Sequence, residues 1–331
     1  MSITYYTGEG VEAPTTSPSL PAPSYGRGLS DPRNYIAERG AVDAVNTAIV
    51  LGQPLLLTGE PGCGKTELAS SIAHELGLPL LRFDTKSTTQ ARDLFYFYDA
   101  IARLHAAQSG AEGSSALDHL QLHALGLAIL LTLPPGEAAE LVPRGVSHRE
   151  PVRSVVLIDE IDKAPRDVPN DVLSEIEEFR FRIPELGYRL VEGSPERRPI
   201  VVLTSNSEKA LPDTFLRRCL YYNLPLPEGE RLRRILELRL GEAVGSTPFL
   251  NDVLEVYEAL RAGAQDFGRP PSTAELLRWI LALRSFAPED PNPLRSQPEL
   301  IHRTLGVLVK TEVDQAQARE VVEQWTGKRL S

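Results

Sequence analysis

The stretch that decides the fold reads Gly-Glu-Pro-Gly-Cys-Gly-Lys-Thr over residues 59–66. An apolar run at residues 54–58 (PLLLT) precedes it; this run is too short for a helix and predicts a buried strand. Apolar residues of segment 65–76 then recur at helical spacing. Glycines let the connecting loop turn its N–H groups toward phosphate oxygens, and the helix N-terminus adds partial positive charge. Strand, loop and helix together therefore predict a site for a nucleoside triphosphate.

The loop supplies most of the predicted contacts to the nucleotide. Lys65 is placed to reach the β- and γ-phosphates, and Thr66 to offer a hydroxyl to Mg²⁺. Cys63 is interpreted as a small filler residue; redox control is the alternative, because a helix N-terminus can lower the pKa of a thiol. The residues expected to bind the nucleotide in this segment are Gly59, Glu60, Pro61, Gly62, Cys63, Gly64, Lys65, Thr66 and Glu67.

Two adjacent carboxylates follow a second apolar run. Residues 155–158 predict a buried strand that ends at Asp159 and Glu160, and ligands bind beyond the carboxyl ends of strands in open parallel sheets. Asp159 is therefore the candidate to hold Mg²⁺ through water, and Glu160 the candidate to polarise an attacking water. A solvated turn is the alternative. Asn206 follows a third run, 200–204, and we expect it to contact the γ-phosphate or orient the water.

Composition places the chain among ordinary globular proteins. Its 331 residues include 35 Lys and Arg against 45 Asp and Glu, a formal charge of −10, which argues against a protein whose main task is to coat nucleic acid. The 2 cysteines exclude a disulfide scaffold. No apolar stretch is long enough for a membrane span and no signal peptide is evident, so we expect a cytoplasmic protein.

Strands alternate with helices over the first two thirds of the chain, which is typical of a parallel sheet with helices on both faces. The predicted fold is therefore an α/β nucleotide-binding domain over residues 31–226, followed by a small all-helical domain over 227–331. Residues 1–30 are rich in Pro, Ser and Thr and predict a disordered tail or linker, with a strap for a neighbouring subunit as the alternative.

The separation of the two charged motifs predicts an insertion. Far more residues lie between Lys65 and Asp159 than the roughly 30 that a βαβ unit needs. We predict a helical insert over about 91–150 that projects from the core. The aromatic run 94–98, and the alternating residues 179–182 of a predicted hairpin, either pack on their own domain or grip a polypeptide in a pore; packing is the favoured interpretation.

These motifs, in this order, resemble those of the AAA+ ATPases, and most closely the MoxR branch. The resemblance covers roughly residues 31–286 and includes segments 53–62 (QPLLLTGEPG), 211–219 (LPDTFLRRC) and 271–277 (PSTAELL). It implies subunits that form a ring, usually a hexamer, with ATP and Mg²⁺ bound between neighbours and the helical domain acting as a lid. It also implies that Asn206 is the first sensor of the γ-phosphate.

The resemblance further assigns roles to arginines. Arg218 is similar to the finger that enters the neighbouring subunit's site, where it would neutralise charge on the transferring phosphoryl group; Arg217 is the competing candidate. MoxR relatives often carry a second-sensor arginine near the start of the third lid helix, and the matching residue here is Thr273. Arg269 or Arg278 would substitute for it, or the second sensor is absent.

Three functions remain open from the sequence. The first is an ATP-driven ring that remodels or activates a partner protein, which by resemblance would carry a von Willebrand A-type domain. The second is a signalling or defence switch that binds ATP, assembles and hydrolyses it slowly. The third, a nucleic-acid-directed NTPase, is disfavoured by the negative charge of the chain.

Overall fold

The computed structural model describes residues 30–109, 115–206, 211–262 and 268–327. The chain divides into two compact units. We name them the core unit, Ala37–Pro225, and the helical unit, which comprises Leu226–Ser331 together with Met1–Ile36. The tail predicted over residues 1–30 lies outside the described residues except for Ser30.

The core unit alternates strands and helices. Its elements in chain order are α1 (Arg39–Leu51), β1 (Leu55–Thr58), α2 (Lys65–Glu75), β2 (Leu80–Asp84), β3 (Tyr96–Tyr98), α3 (Ala100–Gln108), β4 (Leu120–Leu122), α4 (Ala124–Leu130), α5 (Pro135–Ala138), β5 (Val155–Asp159), α6 (Val168–Glu178), β6 (Arg180–Ile183), β7 (Arg189–Glu192), β8 (Ile200–Thr204), α7 (Asp213–Leu216) and β9 (Leu220–Asn223). The main sheet has the order β2-β5-β8-β1-β9. All its pairings are parallel, which confirms the predicted sheet.

Helices cover both faces of this sheet, as the sequence predicts. Leu56, Val156 and Leu203 belong to an apolar cluster that also contains buried residues of α4 and α6. Helix α2 contacts β2, β5 and β8, but its buried residues are not part of that cluster. Strands β1, β5 and β8 lie between these layers and are buried along their whole length. This double coverage explains why each of these strands appears in the sequence as a continuous apolar run.

Strand β9 is absent from the sequence prediction. It lies at the edge of the sheet beside β1, and its residues alternate between partly buried and exposed side chains. No continuous apolar run therefore marks it. Because all the strands are parallel, their carboxyl ends meet at one edge of the sheet. The last residues of the strands at this edge are Thr58, Asp84, Asp159, Thr204 and Asn223.

The described residues of segment 91–150, where the sequence predicts a helical insert, form a short hairpin as well as helices. Strands β3 and β4 pair as an antiparallel hairpin, and the buried residues of α4 belong to the main apolar cluster. Helix α4 (ALGLAIL) is apolar on all sides, as buried helices are. Phe95 and Tyr96 stack on Phe181 of the β6–β7 hairpin, with ring centroids 5.3 and 6.2 Å apart. These aromatic residues therefore pack on their own unit.

The described elements of the helical unit beyond residue 226 are all helices. They include α8 (Gly229–Leu240), α9 (Thr247–Ala262), α10 (Thr273–Phe286), α11 (Pro293–Ser296), α12 (Glu299–Leu308) and α13 (Glu312–Thr326). Helix α10 begins with a capping box between Ser272 and Glu275. Helices α12 and α13 are separate because Thr311 caps the second one by accepting from the N–H of Asp314 at 3.1 Å. Within the described ranges, no helix combines the length and apolarity needed to cross a membrane.

Candidate functional site

The loop predicted to bind phosphate, residues 59–64, joins β1 to α2. Gly59, Gly62 and Gly64 have φ angles of 138°, 79° and 99°, which residues with a side chain rarely adopt. A Cβ atom on Gly59 would lie 2.4 Å from the carbonyl oxygen of Leu224, so a larger residue has no room there. The loop is therefore a curled backbone at a helix N-terminus, which is the arrangement that holds phosphate through N–H groups.

Lys65 directs its ammonium group back into this loop. Its Nζ donates to the carbonyl oxygens of Gly59 at 2.8 Å and Glu60 at 3.1 Å, and the residue is 8% exposed. Burying a cation is costly unless anionic or hydrogen-bonding groups compensate it. An ammonium group held by loop carbonyls is therefore well placed to bind an anion that enters the loop.

The remaining residues of the loop differ in accessibility. Glu60, Pro61 and Gly62 are exposed. Glu67 lies in the first turn of α2, where its negative charge is favoured by the helix dipole. Cys63 is buried, and burial raises the pKa of its thiol although an ammonium group lies nearby. A raised pKa disfavours the reactive thiolate, which argues against the redox alternative for this cysteine.

Asp159, the last residue of β5, is the centre of the hydrogen-bond network at this edge. Its Oδ1 accepts from Thr204 Oγ1 at 2.5 Å and from Thr66 Oγ1 at 3.1 Å. Its Oδ2 accepts from Arg82 Nη2 at 2.8 Å and lies 3.2 Å from Thr66 Oγ1. The two residues predicted to hold Mg²⁺ are thus in direct contact. Hydroxyl and carboxylate oxygens are ligands that Mg²⁺ prefers, so this donor set fits the metal.

Glu160 follows with an unusual backbone. Its φ angle of 55° places it in the left-handed region, which is uncommon for a residue with a side chain. Its N–H donates to Thr204 Oγ1 at 2.8 Å, and Lys163 Nζ donates to its Oε2. This hydrogen bond raises the pKa of Lys163. Thr204 therefore contacts both members of the acidic pair and fixes where the chain turns out of the sheet.

Asn206 lies two residues beyond β8 and is exposed. In the sheet, β8 is flanked by β5 and β1. Asn206 therefore follows a strand that lies between β5, which ends at Asp159, and β1, which leads into the loop. Residues 207–210, which follow it, lie outside the described part of the chain.

The two finger candidates follow α7 on the surface of the core unit. Arg217 and Arg218 are both exposed. Arg218 Nε lies 3.6 Å from Glu177 Oε1 of α6, and the two side chains are 43% and 49% exposed. Among the described residues, neither arginine makes a hydrogen bond or ion pair with the loop or with the acidic pair. The structure thus brings the loop, Asp159 and Glu160 together and leaves the arginines at a distinct surface.

The candidates for a second sensor lie in the helical unit. Thr273, the first residue of α10, is buried, and Arg278 on the same helix is partly buried. Arg269 is exposed in the segment that leads to α10. This segment is anchored where Gly268 N–H donates to Asp314 Oδ1 at 2.9 Å.

Sequence reasoning missed three residues that contact the acidic pair: Arg82, Lys163 and Thr204. Thr204 could have been found, because it ends an apolar strand in the same way that Asp159 does. Lys163 stands three residues after Glu160, within reach on one helical turn. Arg82 could not have been found without knowing that β2 pairs with β5.

No protein of curated function matches the sequence significantly. The solved structures that match include Thermotoga maritima RuvB, described as a Holliday junction branch migration motor, at 16% identity over 85% of this chain and 73% of that chain, with a TM-score of 0.46. Two variants of that RuvB match at 17% identity and a TM-score of 0.44, over 81% and 88% of this chain and 67% and 72% of theirs.

The family assignment rests on a separate finding. The family described as "ATPase family associated with various cellular activities (AAA)" matches residues 55–224, which is more than half of the chain. The match runs from the first residue of β1 to the residue after β9 and so includes the loop, the acidic pair and both finger candidates. The chain therefore belongs to the AAA family of ATPases.

Proposed function

We propose that this chain is an ATP-hydrolysing ring protein of the MoxR type, which uses ATP binding and hydrolysis to remodel or activate a partner protein. The contact between Thr66 and Asp159, at 3.1 and 3.2 Å, carries the proposal. It joins the first turn of α2, directly after the loop, to the buried carboxylate that ends β5. That is the arrangement which hydrolysis of a nucleoside triphosphate requires.

The loop and the acidic pair would divide the work of hydrolysis. The loop N–H groups and Lys65 would bind the phosphates of ATP. Thr66 and Asp159 would hold Mg²⁺, which supplies charge neutralisation at the β- and γ-phosphates when bound. Glu160 would accept a proton from the attacking water, and Asn206 would orient that water or contact the γ-phosphate.

The ring is proposed from the position of the arginines. Arg218, with Arg217 as the competitor, is exposed beyond α7, so it is available to a neighbouring subunit. There it would stabilise charge on the transferring phosphoryl group. We further propose a hexamer, with the helical unit serving as the lid and Arg269, rather than Arg278, as the second sensor. If neither arginine reaches the nucleotide, the second sensor is absent.

The partner is proposed from the resemblance to the MoxR branch. The partner would be a protein with a von Willebrand A-type domain. We also propose a cytoplasmic location, which accords with the free thiols of Cys63 and Cys219. The net charge of −10 supports a protein partner over nucleic acid.

One contact favours the second candidate function, a switch with slow hydrolysis. Lys163 donates to the Glu160 carboxylate, the proposed proton acceptor. A carboxylate engaged in this way must exchange its cation for water before it can act. A signalling or defence switch would keep ATP for long periods, and retention of one ATP per subunit would identify it.

The experiment that tests the proposal measures steady-state ATP hydrolysis against protein concentration, for the unaltered chain and for Arg218→Ala. Specific activity should rise with concentration as rings form, and Arg218→Ala should abolish hydrolysis without abolishing ATP binding. A specific activity that does not depend on concentration would contradict a shared site. Stoichiometric ATP bound without turnover would favour the switch.

A further inference from the structure

Two carboxylates face each other at the edge of the main sheet. In the register of β2 with β5, Asp84 pairs with Asp159, so their side chains leave the same face of the sheet as neighbours. Like charges directly opposite on adjacent strands destabilise a sheet. This pair therefore needs a cation to compensate it.

Arg82 is that cation. It lies two residues before Asp84 on the same strand, and its side chain therefore projects from the same face. Its Nε donates to Asp84 Oδ1 at 2.7 Å and its Nη2 donates to Asp159 Oδ2 at 2.8 Å. One guanidinium group thus bridges a carboxylate of the proposed metal site and a carboxylate outside it.

The two partners of Arg82 differ in their surroundings. The Asp159 side chain is 10% exposed and also accepts from Thr66 and Thr204, whereas the Asp84 side chain is 65% exposed. A divalent cation held by Asp159 and Thr66 would lie against the guanidinium group, and the two positive charges would repel each other. Arg82 is half-exposed, so it can leave Asp159 and remain paired with Asp84.

We propose that Arg82 competes with the divalent metal for Asp159 and shifts to Asp84 when the metal binds. Arg82 then sets the metal concentration at which the site loads, and Asp84 is the residue that receives it. The inference rests on the proposed magnesium-dependent function, since it requires Thr66 and Asp159 to bind a divalent cation.

The test is a titration with Mn²⁺, followed by electron paramagnetic resonance, with and without a non-hydrolysable ATP analogue. Arg82→Gln should bind Mn²⁺ about thirtyfold more tightly, the effect in water of removing one unit charge some 4 Å from a doubly charged ion. Asp84→Asn should bind Mn²⁺ more weakly, because Arg82 then has only Asp159 to pair with at this site. Arg180→Gln is the matched control, since Arg180 also pairs with an acid two residues away, at 2.9 Å from Glu178, and it should leave the affinity unchanged.

Opposite effects of Arg82→Gln and Asp84→Asn would support the competition, because general damage to the fold would weaken metal binding in both. Wild-type or weaker Mn²⁺ affinity in Arg82→Gln would overturn it. Loss of ATP affinity by Arg82→Gln in EDTA would overturn it too, since Arg82 would then be a phosphate ligand. If the unaltered chain bound no Mn²⁺ even with the analogue, the proposed function itself would fail. If the unaltered chain binds Mn²⁺ but the Arg82→Gln result is negative, only the competition by Arg82 fails.

Discussion

The charged groups at Asp159 and at Arg218 are held in contrasting ways. Asp159 is nearly buried, and three side chains of its own unit, those of Thr66, Arg82 and Thr204, donate to it. Arg218 is exposed and is paired with Glu177 at 3.6 Å, a distance at the long end for an ion pair.

The difference shows which part of the site one chain assembles by itself. A nearly buried carboxylate that two threonine hydroxyls hold is fixed in place, because losing those bonds would leave buried polar groups unpaired. An exposed ion pair between long side chains contributes little and is exchanged easily. The metal side of the proposed site is therefore preformed, whereas the arginine remains available to another partner.

The largest expected effect is on the rate of ATP hydrolysis, when the arginine is removed from one set of subunits and the acidic pair is altered in another. Arg218→Ala and Glu160→Gln should each lower the rate of ATP hydrolysis about a thousandfold, the scale reported for arginine fingers in related chemistry. A mixture of the two variants should regain activity, because sites form that combine an intact acidic pair with an intact arginine. Rates are measured on each variant and on the mixture at equal total concentration.

The competing assignment provides the control for this mixture. Arg217→Ala should retain most of the activity. If it loses more activity than Arg218→Ala, the finger is Arg217. If the mixture regains nothing, the arginine does not act between subunits.

The next effect in size concerns the stability of the preformed side. Thr204→Val removes the hydroxyl that donates to Asp159 and accepts from the N–H of Glu160. We expect the free energy of unfolding to fall by about 1–3 kcal/mol, the cost of leaving buried polar groups unpaired. Urea denaturation of both proteins measures this change in the free energy of unfolding.

Thr214→Val is the matched control for that measurement. The Thr214 hydroxyl also makes a side-chain hydrogen bond, 2.8 Å to Asn170, but at an exposed position. Its loss should change the free energy of unfolding by no more than about 0.5 kcal/mol. Equal losses in the two variants would mean that the Asp159 network is no more rigid than the surface.

A smaller effect is expected at the arginine side. Glu177→Gln removes the ion pair of Arg218, and exposed pairs contribute about 0–1 kcal/mol, so hydrolysis should change by no more than about fivefold. Glu178→Gln, which breaks the exposed pair with Arg180, is the control and should not alter the rate. A loss as large as that of Arg218→Ala would show that Glu177 holds the arginine in its working position.

The smallest effect is a difference in thiol reactivity between the two regions. Cys63 lies in the loop and Cys219 directly follows Arg218. Burial raises the pKa of both thiols, that of Cys219 to about 12 against an ordinary value of 9.0. Because the thiolate is the nucleophile, iodoacetamide should label both slowly at pH 8, and labelling of Cys219 should keep rising well above pH 9. Mass spectrometry after timed labelling distinguishes the two sites, and rapid labelling of Cys219 at pH 8 would contradict its burial.

Local patterns allowed much of the fold to be predicted. The interior strands β1, β5 and β8 are buried on both faces, so each is a continuous apolar run in the sequence. Strand β9 was missed because an edge strand needs apolar residues on one side only. The insert predicted over 91–150 rested on the length of the segment alone, and length does not indicate that the buried residues of α4 belong to the main apolar cluster.

Local patterns also predicted only part of the candidate site. The glycine loop and the acidic pair follow from the residue types at fixed spacing. The Arg82 contact depends on the register of two strands that are distant in the sequence, and no local pattern encodes that register. The left-handed backbone of Glu160, whose N–H donates to Thr204, is likewise not indicated by the residue type.

The close approach of Gly59 to Leu224 has a mechanical consequence. Leu224 N–H donates to the carbonyl of Thr58 at 2.8 Å, and its own carbonyl oxygen stands where a side chain of Gly59 would be. The core unit ends one residue later, at Pro225. The strand-to-loop junction therefore accepts only glycine at position 59: any side chain there would push the backbone away from Leu224, one residue before the core unit ends.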